Sequence, residues 1–471
     1  MIIYTDCIVA GAGIAGCTLA KKLAEAGFRT HLVDIRSAEN IGSPWEITVE
    51  NSVFARIGLR KPEESLCLEK ADVVRYYANN MQNFIEISSE EDDELTIRHK
   101  DLNLHLLRQA LGAGAVFLGK HVVTGFCFSR DNVTGITGYY RSFLRKEKPF
   151  KIKSSIVIDA SGTAAVLRRQ APGHFMIKNI MRKQDYSFGW QELREVSTGQ
   201  MEELREKSGI VPGMSYTRLG KRQAYEVLHL RKNNTASLIF GGAFERESTS
   251  AKSVCEEYLK RNPYFGKKIY GGGRLIPIRR SIDNMVGNGF LCIGDCACQV
   301  IPTMGSGAAS SMHAADIAVR SICEAFNRNN LTRAGLWSYN HKYQTKRGAV
   351  LASYDIIRRF IQSLSVNEMD EIFKMDFFKN KNFVNTISSN TINFDILEIL
   401  ENIGKLFGNI KMIPMGIHFL QTLSDSKKAV AIYKNFPGTS RKKDFIEWQK
   451  QTNQLFSHYR TFSSDQKDEF F

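Results

Sequence analysis

The feature that most constrains this chain is the glycine-rich turn at residues 11–16, with the sequence GAGIAG. Residues 6–10 before it, with the sequence DCIVA, are mainly apolar and predict a short buried strand. After it, Leu19, Leu23 and Ala26 recur at helical spacing, which predicts a helix over residues 16–26. In a strand–turn–helix unit of this kind, the three glycines permit a tight turn, close approach of a phosphate and close helix–strand packing. The sequence therefore predicts the start of a Rossmann-type βαβ fold.

The strand predicted at residues 30–34 completes this unit. It ends at Asp34, 18 residues after Gly16, where a carboxylate accepts hydrogen bonds from ribose hydroxyls. The N-terminus of the preceding helix offers free N–H groups and partial positive charge to phosphates. The unit fits NAD and FAD equally well. Its predicted cofactor-binding residues are Gly11, Ala12, Gly13, Ala15, Gly16, Asp34, Ile35 and Arg36.

A second glycine motif lies far along the chain. Gly294 and Asp295 follow a predicted buried strand at residues 289–294, and the triplet Gly305-Ser306-Gly307 precedes a predicted helix. This pattern resembles the second FAD fingerprint of the glutathione-reductase-like flavoproteins, in the branch that contains para-hydroxybenzoate hydroxylase. The resemblance implies FAD, with Gly294 and Asp295 at its ribityl or pyrophosphate portion. It places Gly305, Ser306, Gly307 and Ala308 at the pyrimidine edge of the flavin.

Three further residues are cofactor candidates through the same resemblance. Asp159, in the sequence IDASG, resembles the middle motif of the family and lies near the pyrophosphate region. Arg98, before a predicted helix at residues 102–111, reaches the FAD phosphates in this interpretation; the alternative is a surface charge. Val123 falls where the chain of the family passes the adenine and offers backbone contacts.

Within this branch the sequence is most similar to geranylgeranyl reductases. The similar stretches are GGGRLIP at residues 271–277, GDCACQVIPTMGSG at residues 294–307 and IGSPW at residues 41–45. The resemblance implies hydride transfer from flavin N5 to a carbon–carbon double bond, with a proton from a nearby acid. The implied substrate is long and apolar, such as an isoprenoid, in a tunnel between a sheet and the C-terminal helices. No second Rossmann motif occurs in the sequence, so electrons would come from transiently bound NAD(P)H or from a ferredoxin.

Three residues are candidates for a catalytic or pocket-shaping role. Cys296 and Cys298 lie on the loop expected nearest the flavin, and either redox activity or packing accounts for them. Trp45 is expected near the isoalloxazine ring, with a packing role as its alternative. The nine cysteines include no CxxC pair, so no metal site is predicted, and this usage suits a reducing compartment.

The overall pattern predicts an α/β fold with an α+β substrate part. A Rossmann-type FAD domain with a parallel sheet is expected at residues 1–72, 95–170 and 280–330. An inserted substrate domain with an antiparallel sheet is expected at residues 73–94 and 171–279, where apolar and polar residues alternate. A helical C-terminal region is expected at residues 331–471.

Charge and hydropathy limit the partners of the chain. The net charge of +15 and pI near 9.3 favour anionic partners such as phosphorylated cofactors or an anionic membrane, although a solvated basic surface explains them equally. No nucleic-acid-binding motif is recognisable. The start of the sequence does not resemble a signal peptide, and no apolar run is long enough to span a bilayer. We therefore expect a cytoplasmic protein, with residues 406–423 either buried or touching a membrane surface. The sequence leaves the oligomeric state open.

Two rival functions share the same motifs. A flavin-dependent monooxygenase or halogenase would use NAD(P)H and O2, although the WxWxIP motif of halogenases does not occur in the sequence. A flavin-binding protein without enzymatic activity is the second rival. Turnover without oxygen separates the reductase from both.

Overall fold

The computed structural model describes residues 2–88, 93–141, 147–178, 180–220, 224–243, 250–374, 410–457 and 459. Its strands are β1 (Ile2–Ala10), β2 (Thr30–Val33), β3 (Glu46–Glu50), β4 (Cys67–Leu68), β5 (Val73–Tyr77), β6 (Phe84–Ser88), β7 (Glu94–Arg98), β8 (Val116–Leu118), β9 (His121–Ser129), β10 (Asn132–Arg141), β11 (Glu147–Asp159), β12 (Tyr186–Glu195), β13 (Met214–Leu219), β14 (Tyr225–Leu230), β15 (Thr235–Ala243), β16 (Lys268–Pro277), β17 (Val286–Gly287) and β18 (Phe290–Cys292). Its α-helices are α1 (Ile14–Glu25), α2 (Ser52–Arg56), α3 (His99–Gly112), α4 (Thr198–Ser208), α5 (Ala251–Arg261), α6 (Ala308–Asn327), α7 (Arg333–Tyr343), α8 (Ala349–Ser363), α9 (Val366–Lys374), α10 (Ile413–Lys434) and α11 (Lys442–Ser457).

A parallel sheet forms the first part of the molecule. Its parallel strands lie in the order β18-β11-β1-β2-β8, with β17 antiparallel at one edge and the hairpin β9–β10 paired to β11. The end of β1 and residues 156–158 of β11 are completely buried, as expected for strands covered on both faces. Helix α1 packs against α3 and α6. The predicted Rossmann-type unit is confirmed, although α1 begins at Ile14 rather than at Gly16.

A second sheet has the order β16-β12-β15-β14-β13-β5-β6. Because side chains alternate along a strand, its two faces have different partners. On β14, Leu228 and Leu230 pack in a core with α4 and α5, whereas Tyr225 and Val227 face a partly open cavity. The predicted antiparallel sheet is confirmed, with two differences. Helices α4 and α5 interrupt the strand pattern, and β13 pairs with β5 in parallel.

Two smaller regions complete the described chain. Strands β3, β7 and β4 form a third sheet, and helices α7 to α11 form the C-terminal region. A π-helical turn at Gln344–Gly348 joins α7 to α8, and α8 packs against α10. The apolar segment at residues 406–423 falls partly in α10, while residues 406–409 lie outside the described residues. Within the described ranges, no helix is both long and apolar enough to cross a membrane. The domain limits stay a prediction.

Candidate functional site

The first glycine turn leaves open space above the N-terminus of α1. Gly11 has φ +112°, and a Cβ there would lie 2.3 Å from the carbonyl oxygen of Ala160. A Cβ at Gly16 would lie 1.9 Å from the carbonyl oxygen of Gly11. Both positions therefore require glycine for the backbone to close. A Cβ at Gly13, in contrast, meets no atom within 4 Å, so this is the face that a phosphate can approach.

Asp34 holds the turn from the end of β2. One carboxylate oxygen accepts from the backbone N–H of Ala12 (2.7 Å) and the other from that of Arg36 (2.8 Å). Each oxygen has a second lone pair that can accept from a ribose hydroxyl. Ile35 and Arg36 are exposed, and the Arg36 guanidinium donates to the carbonyl oxygen of Gly42 (2.7 Å).

The structure brings the two glycine motifs together. Gly294 has φ +74°, and a Cβ there would lie 2.9 Å from the Cβ of Ala15. A Cβ at Gly307 would lie 3.3 Å from a carboxylate oxygen of Asp295, immediately before α6 begins at Ala308. One partly open cavity is bordered both by Ile14, next to Gly13, and by residues 305–308. The N-termini of α1 and α6 therefore lie close together, and the assignment of both glycine motifs to one cofactor stays a prediction.

Of the predicted cofactor residues, Gly305, Ser306, Gly307 and Ala308 border this cavity and the others do not. Three of the others have partners elsewhere in the structure. Arg98 forms an exposed ion pair with Asp101 (2.7 Å). Val123 packs against the main core from β9. Asp159 is fully buried, and its carboxylate accepts backbone hydrogen bonds from Ser161, Leu167 and Arg168 at 2.7–3.0 Å. Its side chain thus holds its own turn, and a cofactor contact would use the backbone. The cofactor roles of these three residues stay predictions.

Cys296 and Cys298 lie in the core and do not border the cavity. The thiol of Cys296 lies 3.0 Å from the carbonyl oxygens of Asp159 and Ile293, and its single proton can be donated to either of them. Burial raises the pKa of the Cys296 thiol well above its usual value and that of Cys298 to about 11. Both side chains are therefore protonated at neutral pH, unlike reactive thiolates. The geometry supports the packing interpretation and gives no support to the catalytic one, which stays a prediction.

The cavity has a volume of about 660 Å³ and a mainly apolar wall. It lies between one face of the second sheet and helices α8, α9 and α10, where the resemblance implies a substrate tunnel. Its wall includes Val74, Ile85 and Leu219 from the sheet and Phe360, Met415 and Phe419 from the helices. This lining can hold a long apolar molecule and exclude water from it.

Trp45 and Glu46 form part of the wall at the start of β3. The indole N–H of Trp45 donates to the carbonyl oxygen of Gly272 (2.7 Å), which fixes the ring. The buried carboxylate of Glu46 forms an ion pair with Arg231 (2.7 Å) and accepts a hydrogen bond from the Tyr270 hydroxyl. Trp45 thus borders the cavity, and its place near the isoalloxazine ring and its catalytic role stay predictions.

Among the cavity residues that the sequence analysis missed, His99 and Arg274 lie beside recognised motifs. The backbone N–H of Ser43 donates to Nδ1 of His99 (3.0 Å), which leaves the proton of the neutral ring on Nε2. Burial, with the charges of Arg274 and Arg36, lowers the pKa of His99 well below its usual value, so the ring is a neutral donor. Arg274 pairs with Asp295 (3.4 Å). Both missed residues adjoin recognised positions, since His99 follows Arg98 and Arg274 lies inside GGGRLIP.

Comparisons with known proteins agree with this fold. No protein-family model matches the chain. A digeranylgeranylglycerophospholipid reductase of Sulfolobus acidocaldarius is 22% identical over 470 residues, which cover 96% of this chain and 98% of that protein. A geranylgeranyl bacteriochlorophyll reductase-like protein of Thermoplasma acidophilum has a structure that matches 90% of this chain and 100% of that one, with a TM-score of 0.71 and 17% identity. A flavin-dependent brominase covers 90% of this chain and 99% of its own, with a TM-score of 0.59 and 14% identity. The chain therefore shares its mixed α/β architecture with these structures.

Proposed function

We propose that this protein is an FAD-dependent oxidoreductase that reduces carbon–carbon double bonds in an isoprenoid or other long apolar substrate. The observation that carries the proposal is the single cavity that joins the start of α6 to an apolar wall of the second sheet and the C-terminal helices. The full-length similarity to a digeranylgeranylglycerophospholipid reductase supports the substrate class. We further assign the chain to the para-hydroxybenzoate hydroxylase branch of the glutathione-reductase-like flavoproteins.

The residues of the two glycine motifs fit FAD. The open face at Gly13 accommodates the pyrophosphate, and Asp34 accepts from the adenosine ribose. Asp295 lies beside the start of α6, where it can accept from the ribityl hydroxyls. When bound, FAD supplies the hydride for the double bond. The α6 N-terminus favours the negative charge of the reduced ring, and the apolar wall keeps water away from the reacting carbons.

The test uses the purified protein. An absorption spectrum should show bound flavin, and dithionite-reduced enzyme under anaerobic conditions should convert a geranylgeranyl-containing lipid to a product heavier by one H2 for each reduced bond. Mass spectrometry measures this gain, and apoprotein prepared from the same sample is the control. A colourless protein that stays without flavin in excess FAD would contradict the proposal. Parallel reactions with NAD(P)H and with reduced ferredoxin identify the electron donor.

The alternative is a flavin-dependent monooxygenase or halogenase that uses NAD(P)H and O2. The fold shared with the brominase is the observation that keeps this alternative. Such an enzyme needs oxygen for every turnover, whereas the reductase works without it. Substrate hydroxylation or halogenation in air, with no reduction under anaerobic conditions, would favour the alternative.

The apolar end of the cavity is where we propose a peripheral membrane contact. Helix α10 places Met415 and Phe419 in the cavity wall and exposes Ile417 and Leu420 on another side. Phe84, at the start of β6, is also exposed. Together with the net charge of +15, this surface should bind vesicles that contain anionic lipid more tightly than neutral vesicles. Vesicle co-sedimentation measures the difference, and equal binding to both would argue against the contact.

A further inference from the structure

An unusual helical turn places Arg347 at the cavity wall. The residue belongs to the π-helical turn Gln344–Gly348, a kind of turn that is frequent at functional sites. The side chain of Gln344 is fully buried, donates to the carbonyl oxygen of Ile282 (2.8 Å) and accepts from the Ser281 hydroxyl (2.9 Å). A Cβ at Gly348 would lie 2.1 Å from that same Gln344 oxygen, so glycine is required there. Packing therefore fixes the turn that carries Arg347.

Arg347 differs from the other charged side chains of the cavity wall. Those side chains are held by partners: Glu46 by Arg231, Glu50 by Arg56 and Arg274 by Asp295. Glu94, also at the wall, is not free either. Arg347, in contrast, makes neither a hydrogen bond nor an ion pair with any residue that the structure describes.

The surroundings of Arg347 leave its charge uncompensated. Arg347 is half-buried, and this partial burial lowers the pKa of its guanidinium, yet arginine stays charged at neutral pH. Glu50 is close enough to act on Arg347, but Arg56 already binds that carboxylate at 2.9 Å and opposes its effect. Burial and, to a lesser extent, the positive charge of Arg347 lower the pKa of His313 to about 4. The His313 ring is therefore neutral at neutral pH. A half-buried cation at a cavity wall, without a partner among the described residues, favours an anionic ligand in the cavity.

We infer that Arg347 binds the anionic head group of the substrate, an inference that rests on the proposed function and names its substrate class. A guanidinium matches a phosphate with two parallel hydrogen bonds, which would supply the missing partner. The preferred substrate is then an amphiphile with a phosphate head and an apolar chain. An uncharged isoprenoid alcohol would leave Arg347 unpaired.

The cavity wall along α8 gives the direction of the chain. After Arg347, the cavity residues on α8 are Ile357, Phe360 and Ile361, and Leu364 follows directly after the helix; all four are apolar. Arg347 and Leu364 are 17 residues apart, which is about 25 Å at the helical rise of about 1.5 Å per residue. A head group at Arg347 and a tail towards Leu364 therefore place charge and hydrocarbon at opposite ends. Such an anchor fixes how far the reacting carbon lies from the head.

The test compares three proteins, all with FAD bound: wild type, Arg347→Gln and the control Lys346→Gln. The control removes the same charge from the same turn, at a side chain that is exposed to solvent. The probes are dodecyl phosphate, dodecanoate and dodecanol, each measured by displacement of a fluorescent apolar ligand. Wild type and Lys346→Gln should bind dodecyl phosphate about 10- to 100-fold more tightly than dodecanol, and Arg347→Gln should lose this preference. Comparison of dodecanoate with dodecyl phosphate shows whether a carboxylate head group binds at Arg347 as tightly as a phosphate does.

Stability gives a second readout. Arg347→Gln should unfold at the same temperature as ligand-free wild type or a higher one, because it removes an unpaired charge from a half-buried position. Dodecyl phosphate should raise the Tm of wild type and not that of the variant. If Arg347→Gln fails to fold, Arg347→Lys, which keeps the charge but loses the two-pronged geometry, should bind the phosphate more weakly than wild type.

The outcomes separate this inference from the proposed function. A wild-type enzyme that reduces geranylgeraniol and geranylgeranyl phosphate with equal kcat/KM would overturn the inference and leave the reductase activity intact. A phosphate preference that survives in Arg347→Gln would overturn it as well. Failure to bind flavin or to reduce either compound would instead contradict the proposed function, whatever the head-group preference.

Discussion

Replacing Gly13 by alanine should weaken cofactor binding without unfolding the protein. Gly13 has φ −75° and ψ −175°, which any residue adopts, and a Cβ there meets no atom within 4 Å. Alanine is a poorer N-cap than glycine, but it also lowers the entropy of the unfolded chain, and the two effects offset each other. We therefore expect the free energy of unfolding of the apoprotein to change by less than about 1 kcal/mol.

The cost appears only when FAD binds. The new methyl group would occupy the space that the pyrophosphate needs above the N-terminus of α1. Inserting a methyl group into a packed contact costs about 1–3 kcal/mol, which raises the Kd of FAD about 5- to 150-fold. Titration of the apoprotein with FAD, followed by flavin fluorescence, measures Kd, and thermal unfolding of the same apoprotein measures stability.

Two other glycines serve as controls. Gly16→Ala should destabilise the apoprotein itself by more than about 3 kcal/mol, because its Cβ would lie 1.9 Å from a backbone oxygen that cannot move away. Gly199→Ala, on α4 and also with no atom within 4 Å of its Cβ, should leave the Kd of FAD unchanged. Wild-type affinity in Gly13→Ala would refute the argument that the glycine turn holds the pyrophosphate.

Two further predictions follow from buried groups. The double variant Cys296→Ala, Cys298→Ala should keep turnover within about twofold and lose about 1–3 kcal/mol of stability, because both thiols pack in the core; a tenfold loss of turnover at full flavin content would restore their catalytic role. Burial alone would raise the pKa of Asp185, but Arg279, at 3.6 Å, and neighbouring cations lower it to about 2. Since this pKa is depressed in the folded state, its contribution of about 2 kcal/mol is present above about pH 4 and is lost as the pH falls towards 2. Urea unfolding at pH 5, 4 and 3 should show a smaller decline for Asp185→Asn than for wild type, and parallel declines would contradict the assignment.

The parts of the fold that the sequence predicted are those with a local pattern. The unit β1–α1–β2 is recognisable from the sequence because its apolar residues, its glycines and Asp34 follow in a characteristic order within 34 residues. The turn at Gly294 and the start of α6 are marked in the same way. In each case a short stretch contains both the reason for the backbone turn and the groups that meet a phosphate.

The other parts of the site depend on contacts between distant segments. His99 becomes a neutral donor because the Ser43 amide reaches its ring, and Trp45 is fixed by a carbonyl 227 residues away. No local pattern contains such pairs. For the two cysteines, in contrast, the local pattern was misleading. Their position next to Asp295 suggested that their thiols lie near the flavin. The turn instead directs both thiols into the core, with Cys298 at φ +56°.

The register of the second sheet decides where the substrate cavity lies. On β13, Ser215, Thr217 and Leu219 face the cavity, and on β14 Tyr225 and Val227 do so, while the residues between them face the other side. A shift of one residue in β14 would exchange the cavity wall for the face covered by α4 and α5. The packing of α4 and α5 against the opposite face of β14 therefore fixes which residues of this strand line the cavity. Substitutions at the five cavity-facing positions should alter the choice of substrate chain at little cost to that packing.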